Sequence, residues 1–285
     1  MKKQILCYTD FSENALNAIH YAIKLYKQHA CAFYILNAFK ADKNASDIEA
    51  LVPELGNEVY ESEKKISEAG LKKVIDTLKS NSKNTKHTYK TISSFNALLY
   101  ALKETIKNRS IDLLVIGTKG ALEEEEYENL PTLDIMEYIT ACSILAVPGD
   151  YKFSRLKEIV LPVDYDEAFN ETDFSEMLNV AKLHQSNINV LHIKKEHHLD
   201  VDQLNNKKLL ESILKAFKHS FHTLKRMGTH KGIKSFVENK HCDLIVFLEE
   251  KSSYIGNELP RPLLKELDTH LSISVMLLTT KTNNL

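Results

Sequence analysis

The residues best placed to do chemistry are Gly117-Thr118-Lys119-Gly120, directly after the apolar run Leu113-Leu114-Val115-Ile116. Glycines after a strand let main-chain N–H groups approach a phosphate, and the N-terminus of the following helix adds a positive dipole end. The next residues oppose an anion, because Glu123, Glu124, Glu125 and Glu126, with Glu128 behind them, share the same loop. At about 8 Å each carboxylate would repel a phosphate charge by roughly 0.5 kcal/mol in water, or about 2 kcal/mol at an effective dielectric of 20. One charge-assisted hydrogen bond contributes only about 1.5–3 kcal/mol. The loop has the glycines of a nucleotide site and the charge of one that no longer holds its ligand.

Two aspartates occupy the matching edge. Asp10 and Asp164 each end an apolar segment, where ligands approach an open α/β sheet. Each is read in two ways, as a contact to a base or ribose, or as a cap on the turn that follows. Nine of the twelve histidines fall after residue 180, among them His192, His197, His198, His219 and His222. Metal ligation needs converging, deprotonated nitrogens, and neither H-E-x-x-H nor a helical H-x-x-x-H occurs, so no metal is expected. The glutamate run lacks EF-hand spacing. No G-x-S-x-G elbow is present and no cysteine is paired by sequence with a histidine in a recognised catalytic arrangement, so no catalytic residue is expected. Cys7, Cys31, Cys142 and Cys242 are scattered in or beside apolar segments and read as buried free thiols.

The elements that would position these residues come in two sets. A chain of 285 residues suggests two domains of about 140 residues each. ILCYTDF (5–11) matches IVLPVDY (159–165), and FYILNAFK (33–40) matches INVLHIKK (188–195), which sets His192 opposite Asn37. IDLLVIGTKG (111–120) matches CDLIVFLEEK (242–251), and SILAV (143–147) matches SVMLL (274–278); these last two pairs share an offset of 131 residues. Four matched pairs in one order mark a duplication, with boundaries at 1–149 and 157–285 and GDYKFSRL (149–156) as linker.

Within the first copy, unalternated apolar runs of strand length alternate with helical periodicity, as in a parallel sheet covered on both faces. The pattern predicts strands at 5–11, 33–40, 86–92, 112–117 and 142–147. Helices are predicted at 13–28 with Ser12 as N-cap, at 57–80 with the stripe Val59, Ile66, Leu71, Val74, Ile75 and Leu78, at 95–108 and at 132–141. Residues 41–56 read as a loop. The second copy predicts helices at 169–185, 201–218, 230–240 and 260–270. Right-handed crossovers make each copy an α/β, doubly wound, five-stranded parallel sheet, Rossmann-like in kind.

Charge excludes nucleic acid as a partner, with 18 basic and 21 acidic residues through Asp150 and 19 and 18 beyond it. No apolar stretch approaches the roughly 20 residues that cross a bilayer, and the start of the chain carries no signal peptide, so no membrane and a cytoplasmic location are expected.

The chain resembles the universal stress protein family in its tandem form, through Asp10 in YTDFSENA, Gly117 and Gly120 in VIGTKG, CSILAVP, and the aligned second copy. The resemblance implies the adenine nucleotide alpha hydrolase-like fold, work in stress adaptation or regulation, and, in some members, ATP binding through G-x2-G-x9-G-[ST]. Gly117 and Gly120 keep the first half of that motif. Nine residues on stand Leu130 and Pro131 in place of glycine and a hydroxyl residue, with Thr132 one place late. Proline lacks the N–H donor, and leucine at positive φ costs about 1–2 kcal/mol. In the second copy Leu248-Glu249-Glu250-Lys251 leaves no glycine. The expectation is a vestigial pocket at Asp10, Asn37, Gly117, Gly120 and Thr132, no bound cofactor and no catalysis. ATP bound by copy one as a weakly hydrolysing switch is the alternative. In the family the final strands join two domains, so SILAV and SVMLL are expected to form a pseudo-dimer, with further homodimerisation and an unidentified protein or small-molecule partner left open.

Overall fold

The structure is a computed structural model and describes residues 2–40, 58–81, 84–118, 131–194, 199–225, 228–248 and 273–279. The loop expected at 41–56, Gly120 with the glutamate run and Leu130, His197, His198 and the helix expected at 260–270 lie outside the described residues.

The first copy forms β1 (Lys3–Tyr8), α1 (Glu13–Leu25), β2 (Cys31–Phe39), α2 (Glu58–Asn81), β3 (His87–Phe95), α3 (Leu98–Arg109), β4 (Leu113–Thr118), α4 (Pro131–Tyr138) and β5 (Ser143–Pro148). The second forms β6 (Glu158–Val163), a 3-10 turn (Glu171–Phe174), α5 (Ser175–His184), β7 (Asn187–Lys194), α6 (Val201–Leu214), β8 (His219–Lys225), α7 (Thr229–Lys240), β9 (Leu244–Leu248) and β10 (Ser274–Leu278).

All ten strands join one sheet in the order β3-β2-β1-β4-β5-β10-β9-β6-β7-β8. Pairing is parallel inside each copy and antiparallel at the junction, where β5 meets β10 with Leu145 opposite Met276. Those two residues are equivalents in the 131-residue repeat, so a pseudo-two-fold axis passes between them, as in an isologous dimer interface. The unalternated strands follow from this: Ile5, Cys7, Phe33, Ile35, Leu113 and Val115 are buried on one face, Leu6, Leu36, Leu114 and Ile116 on the other. Each face has one core that runs through both copies.

The repeat reaches backbone detail. Phe11 and its counterpart Tyr165 both take positive φ, 69° and 67°, and so do Ser110 and His241 at 48° and 51°. Asp112 and Asp243 hold the starts of β1 and β6 alike, their carboxylates accepting from the amides of Gln4 and Lys157.

Several expectations need correction. In α2, Leu71, Val74, Ile75 and Leu78 are buried, but Val59 and Ile66 are 52% and 56% exposed. Ser67 takes the inward place, its hydroxyl 2.8 Å from that of Ser93 on β3. Strand β3 continues to Phe95, which packs with Phe39 and Tyr60, so the helix expected from 95 starts at Leu98. The first helix of the second copy begins at Ser175 after the 3-10 turn, and α6 stops at Leu214 because β8 starts at His219.

The linker lies between the copies. Phe153 meets Tyr21 edge to face with centroids 5.0 Å apart, and His184 Nε2 donates to the Leu25 carbonyl at 2.9 Å. Below them Glu176, near the N-terminus of α5, is held by Lys3 Nζ and by the Tyr26 hydroxyl. The positive end of that helix supports a carboxylate there.

Candidate functional site

Strand order reverses between β1 and β4, so the ends of these strands form the switch point where an open α/β sheet receives ligands. Asp10, Asn37, Gly117 and Thr118 meet there. Gly120 lies outside the described residues, and so does the side chain of Thr132, which is the second residue of α4.

Three main-chain donors of the turn after β1 are already taken. Thr9 Oγ1 accepts from the Phe11 amide at 2.9 Å, Asp10 Oδ1 from the Ser12 amide at 3.0 Å and Ser12 Oγ from the Ala15 amide at 3.3 Å. Asp10 therefore caps its turn, and Ser12 is the N-cap of α1. The Asn37 amide donates to the Thr9 carbonyl at 2.7 Å, spanning β1 and β2 from a buried position. The Gly149 amide donates to the Thr118 carbonyl at 3.1 Å.

Gly117 has a packing role. A Cβ there would sit 2.6 Å from the Asn14 carbonyl oxygen and 2.9 Å from the Ala15 nitrogen. The glycine lets β4 pass against the first turn of α1, and Glu13 adds a carboxylate to that turn. Three amides at this turn are thus engaged by side chains of the turn itself, and the first turn of α1 carries an acid.

The second copy closes its switch point differently. Asp164 Oδ1 accepts from the Asp166 amide at 3.0 Å, the same turn cap as Asp10. Burial raises the Asp164 pKa above the usual carboxylate value, and the hydrogen bond from the Asp166 amide offsets part of the shift. His192 Nδ1 donates to the Val163 carbonyl at 3.0 Å, the counterpart of the Asn37 bond and as the repeat places it. Sequence reasoning missed Gln203 and Asn206, which reach from α6 to the carbonyls of Asp164 and Tyr165 at 3.3 and 2.9 Å. Only Asp200-x-x-Gln203, a capping box at the start of α6, was visible beforehand as a signal there. The Tyr165 ring packs on His192 at 5.1 Å and on Phe169 at 6.3 Å. Leu248, in the place of Gly117, packs against the core that holds Phe174 and Met177. The late start of this copy's first helix leaves room for that side chain.

His222 enters a structural network. His222 Nε2 lies 2.9 Å from Ser220 Oγ and 3.2 Å from Asn189 Oδ1, and Asn189 in turn donates to Glu158 at 2.8 Å. This ties the beginnings of β6, β7 and β8. It lies at the opposite edge of the sheet from the switch point. Among the described residues no cluster of histidine, cysteine and acid side chains could hold a metal ion. The four cysteines are buried and free, and burial pushes the thiols of Cys31, Cys142 and Cys242 up to about 12. No described helix is long and apolar enough to cross a membrane.

Comparison with known proteins agrees with this geometry. Residues 1–126 match the model described as the universal stress protein family. Among curated proteins none matches the chain in sequence. A universal stress protein from Archaeoglobus fulgidus DSM 4304 has TM-score 0.71 and 13% identity, over 97% of this chain and 98% of that one. A putative universal stress protein from Pseudomonas aeruginosa UCBPP-PA14 has TM-score 0.62 and 13% identity, over 98% and 93%. The cytoplasmic domain of a prokaryotic cation chloride cotransporter has TM-score 0.57 and 9% identity, over 100% and 98%. These last likenesses are of fold, and with the match over the first copy they lead to one conclusion: residues 1–126 belong to the universal stress protein family, and the whole chain has the α/β fold of two-copy structures from that family.

Proposed function

We propose that the protein is a non-catalytic binding module for stress adaptation or regulation, whose ancestral nucleotide pocket now serves packing. The observation that carries this reading is the engagement of the amides of Phe11, Ser12 and Ala15 by side chains of their own turn. An anion arriving there would have to displace three bonds, each contributing about 0.5–1.5 kcal/mol, and face Glu13 as well. The protein works in this reading through its surface, on a protein or small-molecule partner. Isothermal titration with Mg-ATP tests it: no saturable heat up to millimolar nucleotide is expected, and micromolar affinity overturns it.

A second reading rests on Thr118. Its hydroxyl is buried at the end of β4 and has no hydrogen-bond partner, and a buried orphan of this kind calls for an explanation. A nucleotide seated against Asp10, Gly117, Gly120 and the start of α4 would supply that partner, making copy one a weakly hydrolysing ATP switch. Thr118→Val separates the two readings. It raises stability and changes no ligand binding in the first, and lowers ATP affinity in the second.

A further inference from the structure

Copy one contains a cavity of about 150 Å³ between α1 and α2, bounded on one side by Phe11 of the turn after β1. Phe11, Leu16, Ile19, Val74 and Leu78 form its apolar wall. Its rim carries His20, Lys73 and Thr77. We propose that this cavity is a binding site for a small apolar carboxylate, an aromatic or branched acid about the size of benzoate.

The size sets the apolar part. A dry cavity of about this volume lined by leucine, isoleucine and phenylalanine takes up benzene. The shape is held from both sides. The Phe11 ring presses so closely on α2 that a Cβ on Gly70 would lie 2.5 Å from it, and only glycine at that position leaves the ring its place. In the second copy the counterpart Tyr165 is fully buried against Phe169 and His192.

The charge sets the polar part. Lys73 is exposed at the mouth, and among the described residues no carboxylate comes within ion-pairing distance of it. Asp76, the nearest acid in sequence on α2, shares an outer groove with Lys72, Lys73, Thr77 and Ser80 and takes no part in lining the cavity. Thr77 donates its hydroxyl to the Lys73 carbonyl at 2.9 Å, which leaves Lys73 as the rim donor for a carboxylate. His20 is half-buried; burial first and then the Lys24 cation lower its pKa, so it is neutral at pH 7. A carboxylate at the rim gains Lys73, stands within the field of Lys24 and favours the charged form of His20. A cationic ligand meets the reverse.

The test uses the full chain with three probes of one shape: benzoate, benzyl alcohol and benzylammonium, followed by NMR of the His20 imidazole and by calorimetry. Benzoate should bind saturably, with a dissociation constant on the order of 1 mM as befits a fragment. It should raise the His20 pKa and exceed benzylammonium by at least about tenfold. Lys73→Met, at an exposed position that folding tolerates, should weaken benzoate about five- to tenfold and leave benzyl alcohol unchanged. Val74→Phe should fill the space and abolish binding of both. Equal shifts from benzoate and benzylammonium, or benzoate affinity unchanged by Lys73→Met, or no saturable binding to the unmodified chain, each overturns the proposal without reference to any variant that fails to fold.

Discussion

Gly117→Ala separates a packing glycine from a phosphate-binding one. The new Cβ would stand 2.6 Å from the Asn14 carbonyl oxygen and 2.7 Å from its carbon, where ordinary contact begins at 3.4 Å. The first turn of α1 must therefore lift by about 0.8 Å, because the atoms in the way are backbone and no rotamer relieves them. Overpacking of this kind costs about 1–3 kcal/mol, and lifting the turn also weakens the Ser12 cap, worth about 1 kcal/mol. A loss of about 2–3 kcal/mol raises the unfolded population roughly 30- to 150-fold. With a urea slope of about 3 kcal/mol/M, the midpoint falls by about 0.7–1 M. Urea melts followed by far-ultraviolet circular dichroism and tyrosine fluorescence measure it. The sign is diagnostic, since glycine to alanine at an unstrained site raises stability by about 0.4–1 kcal/mol. A midpoint equal to the parent's, or above it, refutes the packing role.

Three further outcomes follow from the same contacts. Glu176→Gln leaves Lys3 without its partner at the junction of the copies and should cost about 3–5 kcal/mol in urea melts, while Lys3→Met, Glu176→Leu and Tyr26→Phe combined should return close to the parent; equal losses from both variants reject the cluster as the cause. Burial, reinforced by Glu176, holds the Tyr26 phenol well above its ordinary 10.0, and burial does the same for Tyr165. Their protons stay on in the folded state, so this stability is present below pH 10 and lost above it; absorbance at 295 nm should rise together with unfolding, and free titration of all 12 tyrosines near pH 10 in folded protein contradicts it. Burial raises the Asp164 pKa, so its ionised form costs stability once pH exceeds the ordinary value of 3.8. Asp164→Asn keeps the acceptor for the Asp166 amide and should melt higher than the parent at pH 7, with the gap closing as pH falls toward 4; a lower melting temperature at pH 7 counts against it.

Where the sequence was read well, the signal was local or repeated. Ser12 caps α1 because a hydroxyl before an amphipathic run has few other uses, and the match of His192 to Asn37 holds because two strands of equal register present equal positions to equal carbonyls. Where it was read poorly, the deciding neighbour was remote. Ile66 fits a helical stripe by spacing, but α2 turns Ser67 inward to meet Ser93, a residue on another element. Gly117 looks like a ligand glycine until Asn14 lies across it. Gln203 and Asn206 carry no motif that points at a strand end.

The sequence by itself determined the repeat of matched segments, the order of strands and helices, and that Asp10, Asn37 and Gly117 stand at the strand ends. Periodicity and repeat are written in short windows, and a parallel sheet has few ways to connect them. Only the tertiary structure decided which hydrogen-bond donors are engaged there, the register that sets Leu145 opposite Met276 where the final strands join the copies, and that a cavity opens beside Phe11. Those outcomes depend on distances between residues far apart in the chain, and a donor's partner is chosen by whichever acceptor folding brings within 3 Å.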